Sequence, residues 1–349
     1  MSVIDGYLKN KTKNISFLEL KKDAGIEIGG QLIDSDIPLP ILTEMLVEGI
    51  KRKTMYEEIK VSHIISGIIY ILGVDPNFKF NDYYKKVLYL YDPKIENYIF
   101  YQGIKYLSEE KDEEALIYFR ALLNINPKNA DGLFNYGICL EKKADQLFEL
   151  GNNDKGEAFL KEATNCFESV LDIKPDYFLA YYKLGYHYKN SGQFLKATLA
   201  WEKYLALDND KFRNQEIREE MNTIHYDSLF EEGYNLYCSG KYNDALDKLL
   251  KVESRYNELW NLKYIIGLSY KEIGEFEKAV EYFHDALELN SEFVDLYNEL
   301  GICLFSMGSF SEALDVFTSG IEKDSDDYKL LFNRGIVYYQ LGLIDKAIL

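Results

Sequence analysis

Residues 260 to 290 read WNLKYIIGLSYKEIGEFEKAVEYFHDALELN. Apolar residues recur at intervals of three and four on either side of Gly274, which marks two amphipathic helices broken by a tight turn. Gly267 is followed three residues on by Tyr270; Ala279, Phe283 and Ala286 follow at helical spacing in the second half. Small residues at Gly267 and Ala279 let the paired helix axes approach, and a larger side chain there forces them apart. Tyr270 and Phe283 fill the space on either side.

The place of Gly267 is taken by a glycine six more times, at Gly103, Gly137, Gly185, Gly233, Gly301 and Gly335. Along the series the gaps are 34, 48, 48, 34, 34 and 34 residues. A fixed period of this size marks a solenoid, in which each unit buries its apolar face against its neighbours. Two gaps exceed the period by 14 residues, close to four helical turns at ~3.6 residues each. In the first, EKKADQLFEL continues one helix, GNND turns and KGEAFLKEA enters the next, so seven extra residues per helix predict a projecting hairpin. In the second, KFRNQEIREEMNTIH (211 to 225) holds no Gly or Pro and is expected to extend the following helix at its N-terminus.

These units resemble the tetratricopeptide repeat (TPR) family, whose pattern runs W-x2-L-G-x2-Y, then A-x3-F, then P. The first repeat matches with Gly103, Tyr106, Ala115, Phe119 and Pro127; the third with Leu184, Gly185, Tyr188, Ala197 and Trp201. The fourth carries Gly233, Leu236, Gly240 and Ala245 with Leu249 in the aromatic place, and the sixth Leu300, Gly301, Leu304, Ala313 and Phe317. The second ends in Ala163, Phe167 and Pro175. The resemblance covers residues 95–349 and implies an all-α, right-handed superhelical solenoid of about seven helix pairs, the last incomplete. By the register, Ala347 only begins the last second helix, leaving Phe332, Ile336, Leu341, Ile344, Ile348 and Leu349 uncapped. The chain is therefore expected to be a truncated fragment, or to have this end covered by another copy.

By the same resemblance, the first helix of each pair lines a concave face. Its groove residues lie six and three before the glycine and one and four after it. Eleven of these 28 positions are aromatic: Phe100, Phe134, Tyr182, Tyr186, Phe230, Tyr234, Tyr237, Tyr264, Phe305, Phe332 and Tyr339. Aromatic residues are 15% of the whole chain, so the face is enriched. The alternative is that many of these rings pack within or between repeats. Charges at the same positions nearly cancel: Asp131, Glu141, Asp227 and Asp295 against Lys189, Lys271 and Lys329. A carboxylate clamp of Lys, Arg and Asn is not formed, because Asn97 and Lys189 are separated by an acidic repeat. Tyr182, Tyr186, Phe230 and Tyr234 are expected to be the centre of a partner site.

The net charge is −18 over 349 residues. Residues 1–94 hold 13 basic and 13 acidic groups, so the whole excess falls on the repeats. That disfavours nucleic acid, whose binding depends on Lys and Arg neutralising phosphates. It is compatible with a basic protein partner, and equally with acidity as a solubility device. Cys139, Cys166, Cys238 and Cys303 fall inside predicted helices with no C-x-x-C pair, which predicts buried free thiols in a reducing compartment. His63, His187, His225 and His284 lack metal-ligand spacing. No cofactor or metal site is expected. VSHIISGIIYILGV (61 to 74) is the most apolar stretch but is short for a bilayer span, and it predicts a buried helix. With no apolar leader, a cytoplasmic protein is expected, and a composition heavy in Lys, Asn, Ile and Tyr suggests a low-GC bacterium.

Residues 1–94 lack the repeat and are expected to be mainly helical. Ser16 and Glu19 form a capping-box pattern opening FLELKKDA, with Gly25 as its stop. The rival is a hairpin of ISFLEL with GIEIGGQLI. Pro40 is expected to open a helix through PILTEMLVEGIKRK, with one or two more across 54 to 73, and NDYYKKVLYLY to form a helix on the first repeat. Gly29-Gly30 belongs to no phosphate-loop pattern, and Asp34-Ser35-Asp36 reads as a solvated loop. No nucleophile–base constellation is evident. The reading that follows is a non-enzymatic scaffold or adaptor that takes a partner peptide or helix. The rivals are a recruitment array serving a catalytic or regulatory 1–94 segment, and a structural self-assembly protein.

Overall fold

A computed structural model describes residues 2–21, 25–51 and 60–347. It divides into two compact units, Met1–Leu184 and Gly185–Leu349.

The first unit begins with α1 (Val3–Lys9), whose N-terminus is closed by a reciprocal capping box between Ser2 and Asp5. A single 3-10 stretch, Asn10–Asn14, leads into β1 (Ile15–Leu18). The strands β2 (Glu27–Ile28) and β3 (Gln31–Leu32) form a small hairpin about Gly29-Gly30, while β4 (Leu39–Leu42) pairs antiparallel with β1, Phe17 opposite Pro40. Both readings of 16–25 are thus corrected: ISFL is a strand, but its partner is 39–42 and not GIEIGGQLI. Pro40 is also corrected, since it lies in a strand and helix α2 starts only at Thr43 (Thr43–Lys51). The fixed φ of proline suits the edge of a two-stranded pair as well as a helix start, and such an edge needs no N–H. Residues 52–59 of the expected helices lie outside the described residues.

Helix α3 (Val61–Val74) is the buried apolar stretch, with ten of its 14 residues buried. It is pressed against its neighbours backbone to backbone. A Cβ on Gly67 would lie 2.1 Å from the Pro40 carbonyl oxygen, and one on Gly73 would lie 2.2 Å from that of Ile117. Its last carbonyls are taken by the first repeat: Asn124 Nδ2 donates to Leu72 O at 3.0 Å and Arg120 Nη1 to Gly73 O at 3.3 Å. Helix α4 (Asn81–Tyr91) forms as expected and contacts the next helix.

Then come α5 (Ile95–Ser108) with α6 (Asp112–Ile125), α7 (Ala130–Glu149) with α8 (Asn153–Ile173), and α9 (Phe178–Asn190), in which the chain passes from one unit to the other. The expected long hairpin is α7 and α8, of 20 and 21 residues, turning at Gly151 with φ +72°. The second unit continues with α10 (Phe194–Leu207), α11 (Lys211–Thr223), α12 (His225–Cys238), α13 (Tyr242–Glu253), α14 (Trp260–Glu272), α15 (Phe276–Leu289), α16 (Val294–Ser306), α17 (Phe310–Lys323), α18 (Tyr328–Gln340) and α19 (Ile344–Ala347). Consecutive helices pair, as expected of the repeat. Residues 211–225 correct the expectation of one lengthened helix: 211–223 form the separate α11, and His225 opens α12. The chain breaks at Ile224, at φ −107° and ψ 7°, where an i−3 bond to Met221 O replaces the helical ladder.

The repeat glycines sit at the crossings. A Cβ on Gly103, Gly137, Gly233, Gly267 or Gly301 would come within 2.4–2.8 Å of Phe119, Phe167, Leu249, Phe283 or Phe317 respectively. At Gly185 the covering ring is Trp201. Gly335 differs, because a Cβ there meets only Ala347 O, at 3.5 Å. Leu331, Phe332, Ile336, Leu341, Leu343 and Ile344 around it are all exposed; Ile348 and Leu349 lie outside the described residues.

Candidate partner-binding surface

In the first unit, Phe100 is half-buried with its ring edge-on to Phe119 at 6.0 Å. Phe134 is buried between Phe167 (5.4 Å) and Tyr177 (5.1 Å), and the Tyr177 hydroxyl donates to Asp131 at 3.0 Å. Tyr182 is half-buried. Here the rings mostly serve packing: burying such a side chain contributes roughly 1.5–3 kcal/mol, which ties these positions to stability.

The second unit presents more surface. Tyr234 is 45% exposed, Phe332 68% and Tyr339 69%, on α12 and α18. Phe230, Tyr237, Tyr264 and Phe305 are half-buried, each with part of its ring packed on the core built around Leu249, Ile266, Phe283, Leu300 and Phe317. Tyr264 lies 5.9 Å from Phe283 and 5.3 Å from Phe293. Burial, then the carboxylates of Glu299 and Asp295, push its hydroxyl pKa up, so it stays a neutral donor. Tyr186 stands edge-on to Trp201 at 5.1 Å, and its hydroxyl donates to Glu216 at 2.6 Å.

Charges on this face are paired between successive first helices. Lys271 of α14 reaches Glu299 of α16 at 2.7 Å, and Lys329 of α18 reaches Asp295 of α16 at 3.1 Å. Asn333 Nδ2 donates to Asn298 Oδ1 at 2.7 Å in the same row. Burial works against the Lys271 ammonium, but Glu299 and Glu272 outweigh it and its pKa is raised. In the first unit Lys183 of α9 meets Glu141 of α7 at 2.7 Å. These rungs fix the spacing of neighbouring first helices and leave the face nearly neutral.

Sequence reasoning found Lys271, Lys329 and Asp295 but missed Glu299 and Asn333, which fall outside the four groove positions; Asn298 holds one of those positions, three before Gly301, but is neither aromatic nor charged and was not singled out. It also missed Glu216 and Glu220 of α11, which bond to Tyr186 and Lys189. The available signal was Asp210, whose carboxylate caps α11 by accepting from Phe212 N and Arg213 N.

Among the described residues no three His, Cys, Asp or Glu side chains gather as a metal site. Burial pushes the Cys139, Cys166 and Cys303 thiols up to about 12, which keeps them protonated and poor nucleophiles. Cys238 corrects the expectation of four buried thiols, because it is exposed at the end of α12. No described helix is long and apolar enough to cross a membrane.

The tetratricopeptide repeat family model matches residues 266–328 and 304–349. With the helix pairs and the glycine register, this identifies residues 266–349 as tetratricopeptide repeats, a repeat that generally serves as a scaffold for protein–protein interaction. Among curated proteins it is similar to the photosystem I assembly protein Ycf3 of Acaryochloris marina, 30% identical over 86 residues, covering 24% of this chain and 52% of that one. It is also similar to the antiviral innate immune response effector IFIT1 of Macaca fascicularis, 23% identical over 222 residues, covering 57% and 46%. The chain thus spans about half the length of these relatives. A crystal structure of MamA protein aligns at 23% identity with a TM-score of 0.38, over 49% of this chain and 86% of that one.

Proposed function

We propose that the first-helix face of Gly185–Leu349, from α12 to α18, receives a helical or extended segment of a partner protein, and that the chain acts as a non-enzymatic adaptor. One observation carries the reading: exposed rings at Tyr234, Phe332 and Tyr339 share that face with lysines whose charge is already met by carboxylates of the next repeat. Exposed Tyr and Phe provide large, rigid contact area at little entropic cost, which is how interface hot spots are built. A face with its charges paired gives affinity that depends weakly on salt. The acidic excess of the repeats argues against nucleic acid and accommodates a basic flank on the partner. The test is capture of partner from the source cell by wild type and by Tyr234→Ala/Phe332→Ala. Affinity for the purified partner should fall by ~2 kcal/mol or more with unchanged helicity; equal affinity would refute the reading.

A further inference from the structure

Helix α11 is the one described helix of Gly185–Leu349 that has no place in the repeat register, and its docking is informative. It is polar, and Ile217 is its only buried residue. Glu216 and Glu220 stand four residues apart and so share one face. On the Gly185–Asn190 end of α9 that face meets two residues at groove positions: Tyr186 Oη donates to Glu216 Oε1 at 2.6 Å, and Lys189 Nζ pairs with Glu220. Behind α11, a crevice of about 510 Å³ opens between it and α10, lined by Glu202, Leu205, Ala206, Arg218, Met221 and Asn222. Two carboxylates of the helix thus meet groove positions of α9, while a crevice separates part of its other side from α10. A segment that belonged to the permanent core would bury a continuous apolar stripe, as α15 does with Ala279, Phe283 and Ala286.

We propose that α11 is a resident, displaceable ligand of this part of the groove, and that the surface it covers docks an acidic partner helix carrying carboxylates four residues apart. The proposal rests on the reading of the first-helix face as a binding surface. Tyr186 and Lys189 supply the recognition: one hydroxyl donor and one ammonium, spaced for successive turns of an acidic helix. While α11 is docked, the fraction of open surface is small, and an outside helix binds with its affinity reduced by that fraction.

The probe is a labelled synthetic peptide of residues 210–224, DKFRNQEIREEMNTI, titrated into the full chain by fluorescence anisotropy. Wild type should bind it weakly. The variant Glu216→Gln/Glu220→Gln, whose own α11 is loosened, should bind it about tenfold tighter or better. Adding Tyr186→Phe and Lys189→Ala should remove that gain, and a peptide with both glutamates changed to glutamine should not bind. Amide exchange provides a second readout: in the glutamine variant it should quicken over 211–223 and stay unchanged over 276–289. Equal peptide binding by wild type and variant, or unchanged exchange over 211–223, would overturn the proposal. Loss of protection over 276–289 as well would make α11 part of the permanent core and would overturn it equally. Tyr234 and Phe332 are not altered in these variants, so the α12–α18 reading is judged separately by its own double variant.

Discussion

Gly267 lies directly under the Phe283 ring, and a Cβ built on it would stand 2.7 Å from the nearest ring carbon. The two residues are sixteen apart, and the same separation joins Gly103 to Phe119, Gly185 to Trp201, Gly233 to Leu249 and Gly301 to Phe317. The separation is thirty for Gly137 and Phe167, which is sixteen plus the fourteen residues added by the long hairpin.

Gly267→Leu should overpack this crossing and destabilise the second unit by roughly 1–3 kcal/mol. Gly335 is the internal control, since a Cβ there makes only an ordinary contact with Ala347 O at 3.5 Å. Gly335→Ala should therefore stabilise by about 0.5–1 kcal/mol through helix propensity alone. Urea denaturation of both variants checks the pair; effects of the same sign would contradict the register.

Glu110 holds the turn position that glycine fills in the later repeats, and is the one described non-glycine residue with positive φ, at +59°. Gly240 and Gly274 adopt φ +75° and +83° at the corresponding place. A side chain in this left-handed region costs roughly 1–2 kcal/mol, partly offset by the extra unfolded-chain freedom of glycine. Glu110→Gly should thus raise stability, and Gly274→Ala should lower it. Thermal midpoints of the two variants decide, and a destabilised Glu110→Gly would count against the turn geometry.

Glu113 ties the N-terminal segment to the first repeats, accepting from the Tyr7 hydroxyl and Lys11 and lying 3.7 Å from Lys143 Nζ. Burial pushes its carboxyl up, but the hydrogen bonds from Lys11 and Tyr7 and the charges of Lys11 and Lys143 outweigh that, so its pKa falls below the ordinary 4.5. A depressed carboxyl contributes stability above its unfolded pKa and loses it as pH falls through the folded one. Glu113→Gln should then cost roughly 1 kcal/mol at neutral pH, a figure held low because the group is partly solvated. In acid well below 4.5 the gap to wild type should close. A gap of equal size at both pH values would contradict the linkage.

The repeats were legible because their signal is local and repeated. The glycine, the turn seven residues on and the ring sixteen on define the pair without tertiary information, and the α7–α8 hairpin kept that register through its insertion. The 1–94 segment was harder to read because its pairing is not local. Ile15–Leu18 takes Leu39–Leu42 as its partner across more than twenty residues, and nothing in ISFLEL distinguishes that partner from the nearer GIEIGGQLI. Helix α11 was missed because the break at Ile224 uses neither Gly nor Pro. The groove positions of Tyr264 and Phe134 were readable from the register but their burial was not, since the first-helix face also packs against the neighbouring repeat.

The most direct measurement of the central claim is amide hydrogen exchange on the full chain with and without its captured partner. The account predicts slowed exchange over 225–238, 260–272, 294–306 and 328–340, the first helices of the second unit, with the second helices 242–253, 276–289 and 310–323 little changed. Protection confined to the second helices, or to the connecting turns, would contradict it.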